Sequence, residues 1–467
     1  MNRHPIRVDD AGMHWDADTA PAVAEVFLEL GPGVNVVVDA ADPSTLMGWT
    51  IAREADVGSL ARACIESDLA HLLEFNGPGA VISCEAFHLD ADWTRRATTA
   101  AVARWWMSPI DEGALMLDEA GARRRTGDTD GASRLVAHAL PALDSLVDDA
   151  VNGELSGGAL SELANLTRAA SAATTGLSWG YPLLSMADRV DTVREIDETK
   201  LERWLEELVD DKSFGLVDVG MAGGPSIARA EVQRGYIDPH VLPPRILRWS
   251  GAGTPEWTAE VDTTTPTLRV LLSVELDAAV DPQCGEANRI LGFAADRTGK
   301  LIATIPMMAQ GHALVGSLPI DETSFDTTVF GLFDADTPPR RLRSGPMAEP
   351  LISVDRHMLD AWMLSRTAHA VLAAVNLGAD EDVLAFAQSA ADGFVRDAVG
   401  AAGRALTALN VLKAAADASD TPLAILVANR VAAIEAFVDR LESRLDQPAG
   451  AQPLLAELLP SPLSGSE

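Results

Sequence analysis

Two segments of this chain pair an imidazole with alternating carboxylates, His14-Trp15-Asp16-Ala17-Asp18-Thr19 and His88-Leu89-Asp90-Ala91-Asp92-Trp93-Thr94. Oxygen-rich clusters of this kind suit a hard divalent cation, with the imidazole as a further ligand. Phe333-Asp334-Ala335-Asp336 repeats the core without the histidine. The commoner account of an Asp just ahead of helical sequence is capping. Its carboxylate accepts hydrogen bonds from free amides and complements the helix dipole. Cys84 and His88 raise a second chemistry, a thiol activated by an imidazole. On a strand these positions share a face but stand ~13 Å apart. Gly79 and the β-branched Val81-Ile82 favour a strand there, so direct contact is not expected. Cys64 and His71 fall on an expected helix, two turns and ~10 Å apart. A buried, unreactive cysteine is the commoner state.

The stretch Leu216-Val217-Asp218-Val219-Gly220-Met221-Ala222-Gly223-Gly224-Pro225-Ser226 resembles a turn that presents amides to an anion. It has neither the Gly-Lys-Ser/Thr ending of a P-loop nor the spacing of a dinucleotide turn, and reads as a structural loop. No HExxH and no paired CxxC occurs. Two further groups are candidates for interaction. Trp105 and Trp106 are neighbours on an expected helix and point about 100° apart, so at most one is expected at the centre of the core; the other suits an inter-domain or partner surface, and packing of both against different neighbouring helices fits equally well. Leu454, Leu455, Leu458 and Leu459 form an apolar cluster in a polar tail, suited to a partner's groove or to the chain's own helices.

The elements that must position these groups change character along the chain. Residues 1–190 read as a helix-rich α/β domain. Its expected strands are Val34–Val38, Trp49–Ile51 and Ala80–Cys84. Its expected helices are Val57–Leu73, Ala91–Met107, Glu112–Arg125, Leu135–Val151 and Leu160–Ala173. Residues 191–249 read as a charged helix and a Gly/Pro-rich connector, in which Pro243-Pro244 excludes helix. Over 250–345 the period becomes two. Leu268–Leu276, Ile290–Ala295, Leu301–Ile305, Ala313–Leu318 and Thr328–Phe333 alternate as the strands of an antiparallel β-sandwich. Residues 354–446 carry three apolar stripes of a C-terminal α-helical bundle, the third opened by Asp420-Thr421-Pro422. Residues 447–467 are expected to be a disordered tail. The fold class is therefore α+β and multidomain, and about three domains suit the length.

Composition limits the function. The 467 residues carry 69 Asp and Glu against 36 Lys and Arg, a formal net charge of −33, and acid outnumbers base in every part of the chain. Such a surface repels phosphate backbones and anionic headgroups, which argues against nucleic-acid and membrane partners. No apolar run approaches the ~20 residues of a spanning helix. The first residues run straight into charge without an apolar signal core, and Cys64, Cys84 and Cys284 make no disulfide framework, so a cytoplasmic location is expected. Only Lys200, Lys212, Lys300 and Lys413 are lysines, which together with heavy alanine use fits a GC-rich bacterial genome.

Pro243-Pro244-Arg245-Ile246-Leu247-Arg248-Trp249, followed by a sandwich and an alanine-rich bundle, resembles accessory proteins of actinobacterial conflict or defence loci over residues 243–445. The resemblance implies a place in a multi-protein assembly and carries over no catalytic residue. The expected function is thus a non-catalytic scaffold, adaptor or regulatory subunit, bacterial defence being the setting the resemblance implies. It would use no cofactor, and its partners would be proteins with basic patches. The alternative is an enzyme, hydrolase-like or metal-dependent, with His14, Asp16, Asp18, Cys84, His88, Asp90 and Asp92 around an N-terminal site. Convergence of at least three of these in one pocket would decide for it.

Overall fold

The computed structural model describes residues 4–66, 81–84, 87–174, 180–193, 203–206, 209, 232–249, 256–262, 269–320, 322–345, 347–375, 380–415, 421–443 and 452–460. The chain opens as a sheet. Strands β1 (His4–Val8), β2 (Gly12–Asp16), β3 (Glu25–Gly31), β4 (Val34–Asp39), β5 (Asp42–Ala52) and β6 (Val81–Cys84) pair antiparallel in the order β3-β4-β5-β2-β1-β6. In β3, Val26 and Leu28 are buried while Glu25, Phe27 and Glu29 face solvent, the alternation of a half-buried strand. Gly33, at φ +75°, closes the β3–β4 hairpin in a conformation that favours glycine. Val34 and Val36 stand opposite Ile51 and Trp49, as the sequence pattern anticipates. Strands β1 and β2 are not legible in the sequence, because their apolar positions are few and interrupted, whereas β3 carries the alternation and is not among the expected strands.

Helix α1 (Gly58–Ala63) is far shorter than the expected Val57–Leu73. The chain turns extended at Cys64, which bridges to Leu89, while the Ile65 amide donates to the His88 carbonyl. Backbone pairing thus outweighs the helical period there, and residues 67–73 lie outside the described residues. Then follow α2 (Ala91–Trp105), α3 (Glu112–Arg125), α4 (Thr129–Val151), α5 (Gly157–Ala173) and α6 (Gly180–Asp191). Asp90, Asp111, Asp128 and Ser156 accept from amides in the first turns of α2 to α5, which fixes where those helices begin.

The central region carries two antiparallel sheets. One has the order β12-β13-β9-β8-β7, from β7 (Val232–Gly235), β8 (Trp257–Asp262), β9 (Arg269–Glu275), β12 (Met308–Gln310) and β13 (Ala313–Pro319). The other has the order β11-β10-β14, from β10 (Ile290–Ala295), β11 (Leu301–Pro306) and β14 (Val329–Asp334). A short helix α7 (Gly285–Asn288) precedes β10. Val270, Leu272 and Leu314 of the first sheet share a core with Phe293, Phe330 and Leu332 of the second.

Helices α8 (Ala348–Ala374), α9 (Glu381–Ala415) and α10 (Thr421–Ser443) follow, and a short 3-10 turn spans Leu455–Glu457. Their buried residues do not form a separate core. Val354, Trp362, Phe394 and Ile434 belong to the same cluster as Val36, Trp106 and Leu163 of the N-terminal region. The two ends of the chain therefore fold around one interior, and the central sheets around another.

Candidate functional site

The carboxylate and imidazole candidates are each engaged locally. His14 Nε2 is 3.3 Å from Asp9 Oδ1, on an exposed turn. Asp16 Oδ1 accepts from the Asp18 amide at 2.9 Å. No helix follows it, so the helical sequence expected after Asp18 is absent. Asp90 caps α2 through the Trp93 amide at 2.8 Å, and Asp92 Oδ1 lies 3.1 Å from Arg125 Nε. His88 Nδ1 contacts Glu66 Oε1 at 2.8 Å. Cys84 stands opposite His4 in the β1–β6 ladder, and its side chain is outside the description. Among the described residues, no group of three or more His, Cys, Asp or Glu side chains is arranged to hold a metal ion. Asp334 pairs with Arg289 at 3.1 Å and accepts from the Asp336 amide. Burial, with the negative charges of Glu66 and Asp90, pushes the Cys64 thiol up to about 12, so it is no nucleophile at neutral pH.

The glycine-rich stretch 216–226 and His71 lie outside the described residues. So does Ser178 of Gly176-Leu177-Ser178-Trp179-Gly180, whose spacing matches the nucleophile-elbow pattern. That elbow needs a strand before the serine. Helix α5 ends at Ala173 and α6 begins at Gly180, and residues 175–179 between them lie outside the described residues.

The chemistry instead concentrates where the two interiors meet. Arg245 follows the double proline with φ +61°. Its guanidinium donates to the carbonyls of Trp106 and Ala103, at 3.1 and 3.2 Å, and to Glu112 at 2.6 Å. It thereby caps the C-terminal end of α2, where carbonyls lack amide partners and a cation complements the dipole. Leu247 bridges to Leu276, so the same segment is anchored to the end of β9. Trp249 donates from Nε1 to Asp360 on α8 at 2.8 Å, and its ring lies 4.4 Å from the Arg356 guanidinium carbon. The whole Pro-Pro-Arg-Ile-Leu-Arg-Trp run is a joint between the parts of the molecule.

Comparison with protein-family models, curated proteins and solved structures finds no match for this chain.

Helix α8 carries the counterpart of that joint. Asp355, 1% exposed, is shared by Arg343, by Arg430 of α10 and by His240, whose Nε2 lies 3.1 Å from Oδ2. Burial opposes its ionisation, but Arg430, His240 and Arg343 outweigh burial and hold the carboxyl well below the usual range. Next along the helix, Arg356 is fully buried, pairs with Glu256 just before β8, and lies 5.2 Å from the Tyr236 ring. Nothing in the motif pattern points to these groups. The one available signal is Asp355-Arg356-His357 in mid-helix, three consecutive polar residues that no single solvent-facing side of a helix can accommodate.

Both tryptophans are buried at these contacts. Trp105 donates to the Glu25 carbonyl at 3.1 Å and packs edge-on to His240 at 4.9 Å, an inter-segment contact. Trp106 packs on Trp362 at 6.0 Å. The leucine cluster is no free tail. Leu454, Leu455, Leu458 and Leu459 are buried, which corrects the expectation of disorder over 447–467 for the described residues 452–460. Two arginines hold the segment. Arg95 donates to the Gln452 and Pro453 carbonyls at 2.6 and 3.0 Å, and Arg366 of α8 pairs with the buried Glu457. Arg95 also contacts Asp118 and Glu162, and Asp118 accepts from the Ala456 amide. Among the described residues no helix is long and apolar enough to cross a membrane.

Proposed function

We propose that the protein is a non-catalytic scaffold, adaptor or regulatory subunit of a multi-protein assembly, with bacterial defence as its setting and the cytoplasm as its location. One observation carries the reading. The buried ionisable groups tie segments distant in sequence to one another, Asp355 to Arg430 and His240, Arg356 to Glu256, and Glu457 to Arg366. Such groups fix a shape; a rigid body with net charge −33 then meets partners through its outside. The two central sheets are read as the faces of one sandwich, presented between the helical parts. Partners with basic patches would be drawn in by long-range attraction.

The test begins with affinity capture from the native host and identification of the partner by mass spectrometry. Association of the purified pair is then timed across an ionic-strength series. The reading expects an association rate that falls steeply as salt shortens the Debye length. An unchanged rate would remove the steering argument. Turnover of a small substrate by the isolated chain, abolished by His88→Ala, would replace the reading with the enzyme alternative.

A further inference from the structure

The segment 452–460 sits on the body as a bound peptide does. Part of its backbone is satisfied within the segment. The Leu454 amide donates to Glu457 Oε2 at 2.7 Å, and the Glu457 and Leu458 amides donate to the Leu454 carbonyl at 3.0 and 3.2 Å. Among the described residues, no backbone-to-backbone hydrogen bond ties it to the rest of the chain. It can therefore leave whole, without opening a sheet or unwinding a helix.

The groove beneath it, between α3, α5 and α8, reads both shape and charge. Leu454, Leu455, Leu458 and Leu459 are its buried anchors. Arg95 of α2 holds the Gln452 and Pro453 carbonyls, groups that any sequence presents. Asp118 of α3 accepts from the Ala456 amide at 3.1 Å. The contact that depends on side-chain identity is Arg366 of α8, whose Nε donates to Glu457 Oε1 at 2.6 Å. A buried guanidinium deprived of its acid is costly, so the groove favours trading one acidic segment for another over standing empty. Residues 444–451 join the segment to Ser443, the end of α10. So short a tether gives the chain's own segment an effective concentration of millimolar order.

We propose that this groove is a peptide-docking site that the chain's own segment occupies until a partner displaces it. The partner is a protein carrying two leucine pairs around an acid, the pattern of Leu454-Leu455-Ala456-Glu457-Leu458-Leu459. The partner's existence rests on the adaptor reading. The groove's affinity for such a segment does not, and it is measured with the chain's own sequence.

A site-specific protease sequence inserted between Ala449 and Gly450 of the full-length chain lets the tether be cut after folding, with the whole chain still present. A fluorescent peptide of residues 450–467 is then added in excess and followed by anisotropy. The cut protein is expected to bind it at one saturable site, and the uncut protein far more weakly, because its tethered segment competes. Glu457→Gln in the peptide should weaken binding at least about tenfold, the loss of one hydrogen-bonded charge. Leu455→Ser with Leu458→Ser should abolish it. No exchange into the cut protein, equal binding to cut and uncut protein, or Glu457→Gln without effect each overturns the assignment. So does unfolding after the cut, seen by circular dichroism, that added peptide does not reverse, since the segment would then be core. None of these outcomes alters the salt dependence that tests the adaptor reading.

Discussion

A single imidazole shows how residue type and surroundings combine in this protein. His357 follows Arg356 on α8 and is 7% exposed. Burial, reinforced by Arg404 and Arg356, pushes its imidazole down from 6.5 to about 4. Between those two values the unfolded chain binds a proton that the folded chain refuses. The stability from neutral His357 is thus fully present above pH 6.5 and is lost as pH falls toward 4. His357→Gln removes this component. Urea midpoints taken at neutral pH and near pH 5 should fall further for the wild type than for the variant; equal falls would refute the assignment. At this scale the sequence was partly legible. Asp90 does cap a helix, as an Asp ahead of apolar periodicity should. Asp16 has the same neighbours and caps nothing, because strand pairing with β5 claims its segment. The joint residues Arg245 and Asp355 were invisible as a pair of anchor points, since most of their partners lie on other elements, Arg245 meeting Glu112 and the Trp106 carbonyl and Asp355 meeting Arg430 and His240.

Elements were legible in proportion to how local their determinants are. Helix α3 spans Glu112–Arg125 and β10 spans Ile290–Ala295, the bounds the sequence predicts, with Asp111 capping the first and the turn at Asp296–Lys300 closing the second. Strands β7, β8 and β12 escaped notice because they are short or end in Gly and charged residues. The segment 452–460 shows the limit most clearly. Its leucines read equally well as a partner-docking motif or as core, and two buried arginines on other elements decide between them. Glu457 is 1% exposed and Arg366 5% exposed, so removing one member strands a charge in the interior. Glu457→Ala should cost about 3–5 kcal/mol, and Arg366→Met combined with Glu457→Leu should recover most of it, because an apolar pair carries no desolvation penalty. Urea denaturation of the three proteins checks this. A single variant as stable as the wild type would mean the segment is not held by this pair.

At the scale of the whole molecule, the two interiors raise a question of cooperativity. Chains with separate cores commonly unfold in separate steps unless a firm interface couples them. Here the interface is polar. It rests on Arg245 against α2, on Trp249 and Arg356 against each other, and above all on Asp355, where the strand Arg343 follows, helix α10 and the His240 segment converge. The sequence shows the change of period that separates the parts. It does not show that residues 4–206 and 348–459 share one core, because that depends on which apolar faces meet after closure. Replacing Asp355 with Asn leaves Arg343 and Arg430 without their common anion at a site closed to water, which penalises the joined state while touching neither core. Differential scanning calorimetry of the wild type should show one transition whose calorimetric and van't Hoff enthalpies agree. Asp355→Asn should split it in two, the central sheets separating from the helical body. A single transition merely shifted to lower temperature would mean that apolar contact, and not this shared carboxylate, couples the two interiors.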